Sequence, residues 1–299
     1  MRCGSLAMLF LLTISRPLLG QEPEQVVRWA TLAPWEFQMT NNIVYKKANG
    51  YECKLDVITP GTRSIARPTL ICIHGGGFVA GNKEETSLVA LPYLAKGMNF
   101  VTVEYRLAPI SLAPAAVDDC RCALRWVFTN AKEYGFDLNR LVLRGASAGG
   151  HLVLMTGLVP ADAGFDNECM DGDYPDLKVA AIINYFGPTD LTTLLHSQPP
   201  KWYVLRWLGD SPNMDELARR LSPVNYVRPG SPPVITIHGD NDQSVPYDQA
   251  LRLKEALRRA GVPNQLHTVR GGGHGGYSRE ENLAIQQEIF AFLKQYGVL

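Results

Sequence analysis

The segment RLVLRGASAGGHLVLM, Arg140 to Met155, decides the fold. An apolar run, Leu141–Leu143, passes into Gly145-Ala146-Ser147-Ala148-Gly149 and then into a second apolar run that begins at His151. Gly145, Ala146, Ala148, Gly149 and Gly150 have almost no side chain, and they surround a single hydroxyl. Gly-x-Ser-x-Gly between a strand and a helix predicts a turn so tight that its serine takes a strained backbone and any bulky neighbour collides with the adjoining elements. Such a turn lifts Ser147 above the C-terminal edge of a sheet, at the positive end of a helix. Glycine and serine also build plain turns, so the meaning of the pattern depends on what the rest of the chain supplies.

Working outward, short apolar or alternating runs recur at Ile43–Tyr45, Leu55–Ile58, Leu70–Ile73, Phe100–Val103, Leu141–Leu143, Val179–Tyr185, Val234–Ile237 and Leu266–Val269. Several are continuous rather than alternating, which suits strands buried on both faces. Helical patterns lie between them. Val117, Cys120, Leu124, Val127, Phe128 and Ala131 share one face, with Gly135 as a stop; a second helix runs from about Tyr247 to Ala260 and ends at Gly261. A third starts at Ser278, where Ser278 and Glu281 form a capping-box pair. The alternation predicts an α/β fold: a mostly parallel central sheet with helices on both faces, spanning residues 43–299. A polar lead covers residues 21–42. The stretch from Leu191 to Tyr226 is a long, aromatic-rich insertion of the kind that forms lids or pocket walls.

Composition excludes several function classes. The 299 residues carry 29 Lys+Arg against 29 Asp+Glu, so there is no net field to draw nucleic acid or an anionic membrane. At 46% apolar and 19% charged, the chain has ample material for a large core. Its start differs. Arg2, the apolar run Leu6–Ile14 and the polar QEPEQ after Gly20 read as a secretory signal over residues 1–20, with a retained anchor as the alternative. The apolar run is shorter than the roughly 20 residues that cross a bilayer. The expected location is therefore secreted or periplasmic. Five cysteines follow that segment: Cys72 reads as a small core residue, and one disulfide is open, with Cys169 as a candidate partner and Cys120 or Cys122 among the choices.

Three further parts give Ser147 a context. The strand ending at Ile73 runs into His74-Gly75-Gly76-Gly77, whose unobstructed amides suit a developing oxyanion. The N–H groups of Gly76 and Gly77, with that of Ala148 after the serine, are the expected donors. Next, VITIHGDNDQSVP places Asp240 and Asp242 just past a buried strand, and either carboxylate can accept an imidazole N–H there. Last, His274 stands in RGGGHGGYS between the final strand and the final helix. The other five histidines, His74, His151, His196, His238 and His267, read as structural. Ser, Asp, His is a chain order used for nucleophilic ester chemistry.

The chain resembles the α/β-hydrolase esterases, close to the bacterial feruloyl-esterase and acetyl-xylan-esterase families and more distantly the hormone-sensitive-lipase group. HGGGF, VEYRLAP, GFDLNRLVLRGASAGGHL, NYFGPTDL, PPVITIHGDNDQSVP and GGGHGG carry the resemblance, from about Leu55 to the C-terminus. It implies the α/β-hydrolase fold, a Ser147, Asp242, His274 triad, and no metal or organic cofactor. Ala146, where lipase-group relatives often have an acid, and the continuation of YRLAP as ISLAP depart from the pattern and leave the subgroup open. Substrates implied are small carboxylic esters or acetyl and feruloyl esters of plant polysaccharides, with Trp202 and Trp207, and beside them Tyr203 and Trp35, as candidate stacking surfaces. A peptidase on the same fold and a non-catalytic binding protein are the alternatives; neither a propeller-type domain nor a missing triad member speaks for them. The acidic stretch Ala161–Asp176 matches no calcium-loop pattern and reads as a solvated connection.

Overall fold

The computed structural model describes residues 23–165, 169 and 177–299. The signal expected over residues 1–20 and most of the acidic connection, 166–168 and 170–176, lie outside the described residues. A helix, α1 (Pro23–Glu36), belongs to a first unit ending at Phe37; Gln38–Leu299 form the second. Within α1, Trp35 is 86% exposed.

Among the described residues eight strands form one sheet: β1 (Phe37–Ala48), β2 (Tyr51–Pro60), β3 (Arg67–Ile73), β4 (Asn99–Val103), β5 (Phe136–Ala146), β6 (Ala181–Tyr185), β7 (Val234–Gly239) and β8 (Asn264–Val269). Their spatial order is β1-β2-β4-β3-β5-β6-β7-β8. From β4 to β8 every pairing is parallel, and β2 joins β4 antiparallel. Each expected strand is present. The first starts at Phe37, ahead of the apolar signal at Ile43; between Phe37 and Ile43 lie polar residues and an exposed Met39, a stretch without the sustained apolar run that marks the other strands.

All five residues of β4 and all six of β7 are buried. Consecutive side chains of a strand point to opposite faces, so burial without alternation means that both faces are covered. The helices that follow are α2 (Leu91–Leu94), α3 (Ala115–Thr129), α4 (Ala131–Tyr134), α5 (Ala148–Leu158), α6 (Leu191–Leu195), α7 (Trp202–Leu208), α8 (Met214–Arg220), α9 (Asp248–Arg259) and α10 (Arg279–Gln295). Gly135 ends α4 in the left-handed conformation, and Ser278 caps α10 by accepting from the N–H of Glu281. The 191–226 insertion contains α6, α7 and α8.

Two further features hold the frame. Arg106, inside VEYRLAP, grips Asp119 of α3 with two guanidinium nitrogens at 2.8 and 2.7 Å, and Lys46 of β1 approaches the same carboxylate at 3.0 Å. All three side chains are buried, so these charges are held by one another where water cannot serve. Cys122 of α3 is bonded to Cys169, which settles the open pairing; Cys53, Cys72 and Cys120 are buried thiols.

Candidate active site

Parallel strands end at the same edge of the sheet, and the segments of interest all begin there. The glycine loop follows β3, Ser147 follows β5, Asp242 follows β7 and His274 follows β8. Ile73 is in register with Gly145 on neighbouring strands, which sets the loop and the serine side by side. Distant points of the chain thus meet outside the carboxyl ends of the strands, where open α/β sheets bind ligands.

Ser147 has φ 55° and ψ −122°, a strained conformation for a residue with a side chain. Its surroundings explain the small neighbours: a Cβ on Gly145 would lie 2.1 Å from the Gly149 carbonyl oxygen, and one on Gly149 would lie 2.2 Å from that of Ile73. The Ser147 N–H is tied to the Tyr185 carbonyl at 2.9 Å, which fixes the turn to β6.

His274 Nε2 is 2.9 Å from Ser147 Oγ, and its Nδ1 is 2.7 Å from Asp242 Oδ2. A carboxylate only accepts, so Nδ1 carries the proton and Nε2 of the neutral ring accepts from the serine hydroxyl. The other oxygen of Asp242 accepts the N–H groups of Ser244 and Val245 at 2.8 and 2.9 Å. Burial opposes its ionisation, but hydrogen bonds from His238 and His274 and from the Val245 N–H outweigh burial and hold the carboxyl well below the usual range. Of the two aspartates the sequence left open, only Asp242 faces the imidazole. Asp240 accepts the Gly271 N–H at 2.6 Å and pairs with Arg270 at 3.5 Å, which braces the loop that carries His274.

The glycine loop is shaped by positive φ at Gly76, 109°, and Gly77, 59°. A Cβ on Gly76 would lie 2.0 Å from the Ala80 carbonyl oxygen, so the turn closes only without one. Tyr105, also from VEYRLAP, holds the loop from behind: its hydroxyl donates to the carbonyls of His74 and Gly75, and its ring stacks on His74 at 4.3 Å. Among the described residues the N–H groups of Gly76 and Gly77 donate to no protein acceptor. Ala148 opens α5, where a backbone N–H has no partner within the helix.

Of the two tryptophans expected at the substrate, one is a correction. Trp207 is fully buried, its ring stacked on Phe78 at 3.9 Å and edge-on to His151 at 5.2 Å, so it is core and offers no surface to a ligand. Trp202 is 59% exposed and lines a cavity of about 440 Å³ with Val79, Ala108, Pro109, Leu112 and Arg206. The helical period separates the two: positions 202 and 207 are five apart on α7 and point to different sides. Tyr203 is buried too, its hydroxyl donating to the Ser244 carbonyl at 3.3 Å, while Lys201 donates to that of Gln243 at 2.9 Å. The insertion is thereby fastened to the loop of Asp242.

Two residues escaped the sequence reading. Phe186, directly after β6, packs its ring 4.6 Å from that of His274. His238, at the end of β7, donates Nε2–H to the Val245 carbonyl at 2.9 Å and stands 3.4 Å from Asp242 Oδ2, a second imidazole at that carboxylate. The available signal was position: both residues end strands of the parallel set. His74 and His151 are buried, which pushes both rings toward the neutral form, His151 to about 3. Among the described residues no group of three or more His, Cys, Asp or Glu is placed to hold a metal ion, and no helix is long and apolar enough to cross a membrane.

A serine elbow, a glycine loop and an imidazole–carboxylate pair at one end of an eight-stranded, mostly parallel sheet define the α/β-hydrolase class. Within it, the model of the BD-FAE family matches residues 55–257, and the chain belongs to that family. It is similar to the probable carboxylic ester hydrolase LipM of Mycobacterium tuberculosis, at 32% identity over 64% of this chain and 45% of the relative. Esterase LipC of the same organism is 30% identical over 70% of this chain and 53% of its own. The chain thus spans about half the length of these curated relatives. Among solved structures, the propionate-bound esterase Est2 of Thermogutta terrifontis superposes with a TM-score of 0.73 at 27% identity, covering 88% of this chain and 96% of that one.

Proposed function

We propose that the chain is a serine carboxylic-ester hydrolase working through Ser147, His274 and Asp242. The observation that carries this reading is the unbroken relay from Ser147 Oγ to His274 Nε2, 2.9 Å, and from His274 Nδ1 to Asp242 Oδ2, 2.7 Å. His274 takes the serine proton as Oγ bonds to the ester carbonyl carbon, and the carbonyl oxygen gains the negative charge. The N–H groups of Gly76, Gly77 and Ala148 hold that oxyanion. Collapse expels the alcohol, which leaves with the proton from His274, and the acyl group stays on Oγ. Water then gives its proton to His274 and attacks the acyl carbon; the acid departs and Oγ recovers its hydrogen. Asp242 remains ionised throughout, stabilising the imidazolium and fixing its tautomer.

The substrates proposed are small carboxylic esters and acetyl or feruloyl esters of plant polysaccharides, supported by BD-FAE membership and by the exposed indole of Trp202. Secretion or a periplasmic location is supported by the Cys122–Cys169 disulfide, a bond that persists in oxidising compartments. The test is hydrolysis of 4-nitrophenyl acetate: Ser147→Ala is expected to lower kcat by at least about 10⁴-fold. An alanine variant as fast as the native chain overturns the reading. Acetate or ferulate release from decorated xylan, set against turnover of simple acyl esters, then decides the substrate class.

A further inference from the structure

The cavity beside the glycine loop holds a charge that the ester chemistry does not use. Trp202, one of its lining residues, brings Cη2 within 3.1 Å of where a Cβ on Gly77 would stand, so one wall of the cavity adjoins a proposed oxyanion donor. Val79, Ala108, Pro109 and Leu112 make its walls apolar, and Arg206 supplies the one cation of the lining. Trp202 and Arg206 are four apart on α7 and so share a face of that helix.

Other exposed arginines hold carboxylates along their own helices: Arg219 pairs with Glu216, Arg252 with Asp248, and both Arg258 and Arg259 with Glu255. Arg206 pairs with none among the described residues. Its neighbours one turn back are Trp202 and Tyr203, and Asp210, four residues on, falls past Gly209, where the chain leaves the helix at φ 70° and ψ −173°. The local sequence thus leaves a guanidinium with its fork of donors unanswered at an apolar, aromatic-walled cavity.

Resting on the hydrolase reading, we propose that this cavity selects esters that carry a carboxylate on the part of the molecule leading away from the scissile bond. The body of the substrate lies between Leu112 and Trp202, and its carboxylate meets the planar fork of Arg206, which matches a carboxylate in two parallel hydrogen bonds. A neutral ester fills the same walls and leaves the guanidinium to water.

Two matched pairs of substrates test this from either side of the ester. On the acyl side, 4-nitrophenyl hydrogen adipate is compared with 4-nitrophenyl hexanoate; on the alcohol side, 4-acetoxybenzoate with 4-acetoxybenzamide. The readout is the anionic-to-neutral ratio of kcat/KM in the full chain and in Arg206→Gln, Arg206→Lys and Arg259→Gln. In at least one pair the ratio is expected to fall about fivefold or more in Arg206→Gln, the size of one well-placed exposed ion pair, to be partly kept in Arg206→Lys, and to be unmoved in Arg259→Gln. Added salt lowers the native ratio in that pair. Turnover of the neutral esters with the same ratio in native chain and Arg206→Gln, in both pairs, overturns the proposal alone. No turnover of any of the four esters overturns the hydrolase reading and the proposal with it.

Discussion

Gly149 sits beneath the end of β3 so closely that a Cβ on it would be 2.2 Å from the carbonyl oxygen of Ile73. That contact is with backbone, which cannot swing aside as a side chain does. Gly149→Ala gains about 1 kcal/mol of helix propensity, but the displaced strand end costs more, and a net loss of about 3 kcal/mol or more is expected. Urea unfolding of the two proteins measures it. An alanine variant of native stability contradicts the packing described for the elbow.

Asp242→Asn keeps the shape of the side chain while removing the charge and the acceptor that select the Nδ1–H tautomer of His274. The expected fall in kcat on 4-nitrophenyl acetate is about 10⁴-fold; a variant within tenfold of native removes Asp242 from the mechanism. The carboxyl's folded pKa lies below its unfolded value of about 3.9, so its stabilising contribution is complete above that pH and is lost as pH falls through the lowered folded pKa. The acid dependence of unfolding is therefore shallower in Asp242→Asn at the acid end.

His267 of β8 places Nε2 2.7 Å from Glu281 Oε1, and its Nδ1 meets Glu288 of the same helix, α10. Two carboxylate acceptors require two ring N–H groups, the charged form. Burial opposes that charge, and the two glutamates more than offset it, raising the pKa. With a raised folded pKa, the contribution is complete below about pH 6.5 and is lost as pH rises through the folded value. His267→Gln is expected to lower Tm by about 2–4 °C per kcal/mol lost at pH 5.5, and the gap should narrow by pH 9. A gap that widens with pH reverses the sign.

The two tryptophans of α7 separate stability from binding. Trp207→Ala empties a site between Phe78 and His151 and is expected to cost about 3–5 kcal/mol. Trp202→Ala, at an exposed position, leaves Tm within about 2 °C of native and raises KM for esters long enough to reach the cavity. Calorimetry beside steady-state kinetics shows whether the effects divide this way; a loss of stability in both variants places Trp202 in the core as well.

The Cys122–Cys169 bond closes a loop with a sequence separation of 47. Constraining the unfolded chain to that extent is worth about 4 kcal/mol in the chain-entropy account. Cys122→Ser, or reduction of the native protein, should lower the denaturant midpoint accordingly. Equal midpoints with and without reductant show that the bond does not form in solution.

The sequence by itself determined the strands of the sheet, three of the helices beside it and the chain order of the candidate site residues. Continuous apolar runs such as Val234–Ile237 identify strands covered on both sides, Ser278 and Glu281 cap α10, and the small residues about Ser147 identify the elbow, because each signal is local and concerns only neighbouring backbone. Tertiary structure decided the rest. Asp242, which the resemblance favoured and the residues by themselves did not separate from Asp240, meets His274, Cys122 and not Cys120 meets Cys169, Trp207 is buried while Trp202 lines a cavity with Arg206, and Phe186 packs on the imidazole. In the first three cases two residues of similar chemistry lie a few positions apart, and the choice between them turns on side-chain direction toward an element far away in the chain. Local periodicity fixes the type of element but not which face meets which distant neighbour; packing of the elements against one another supplies that.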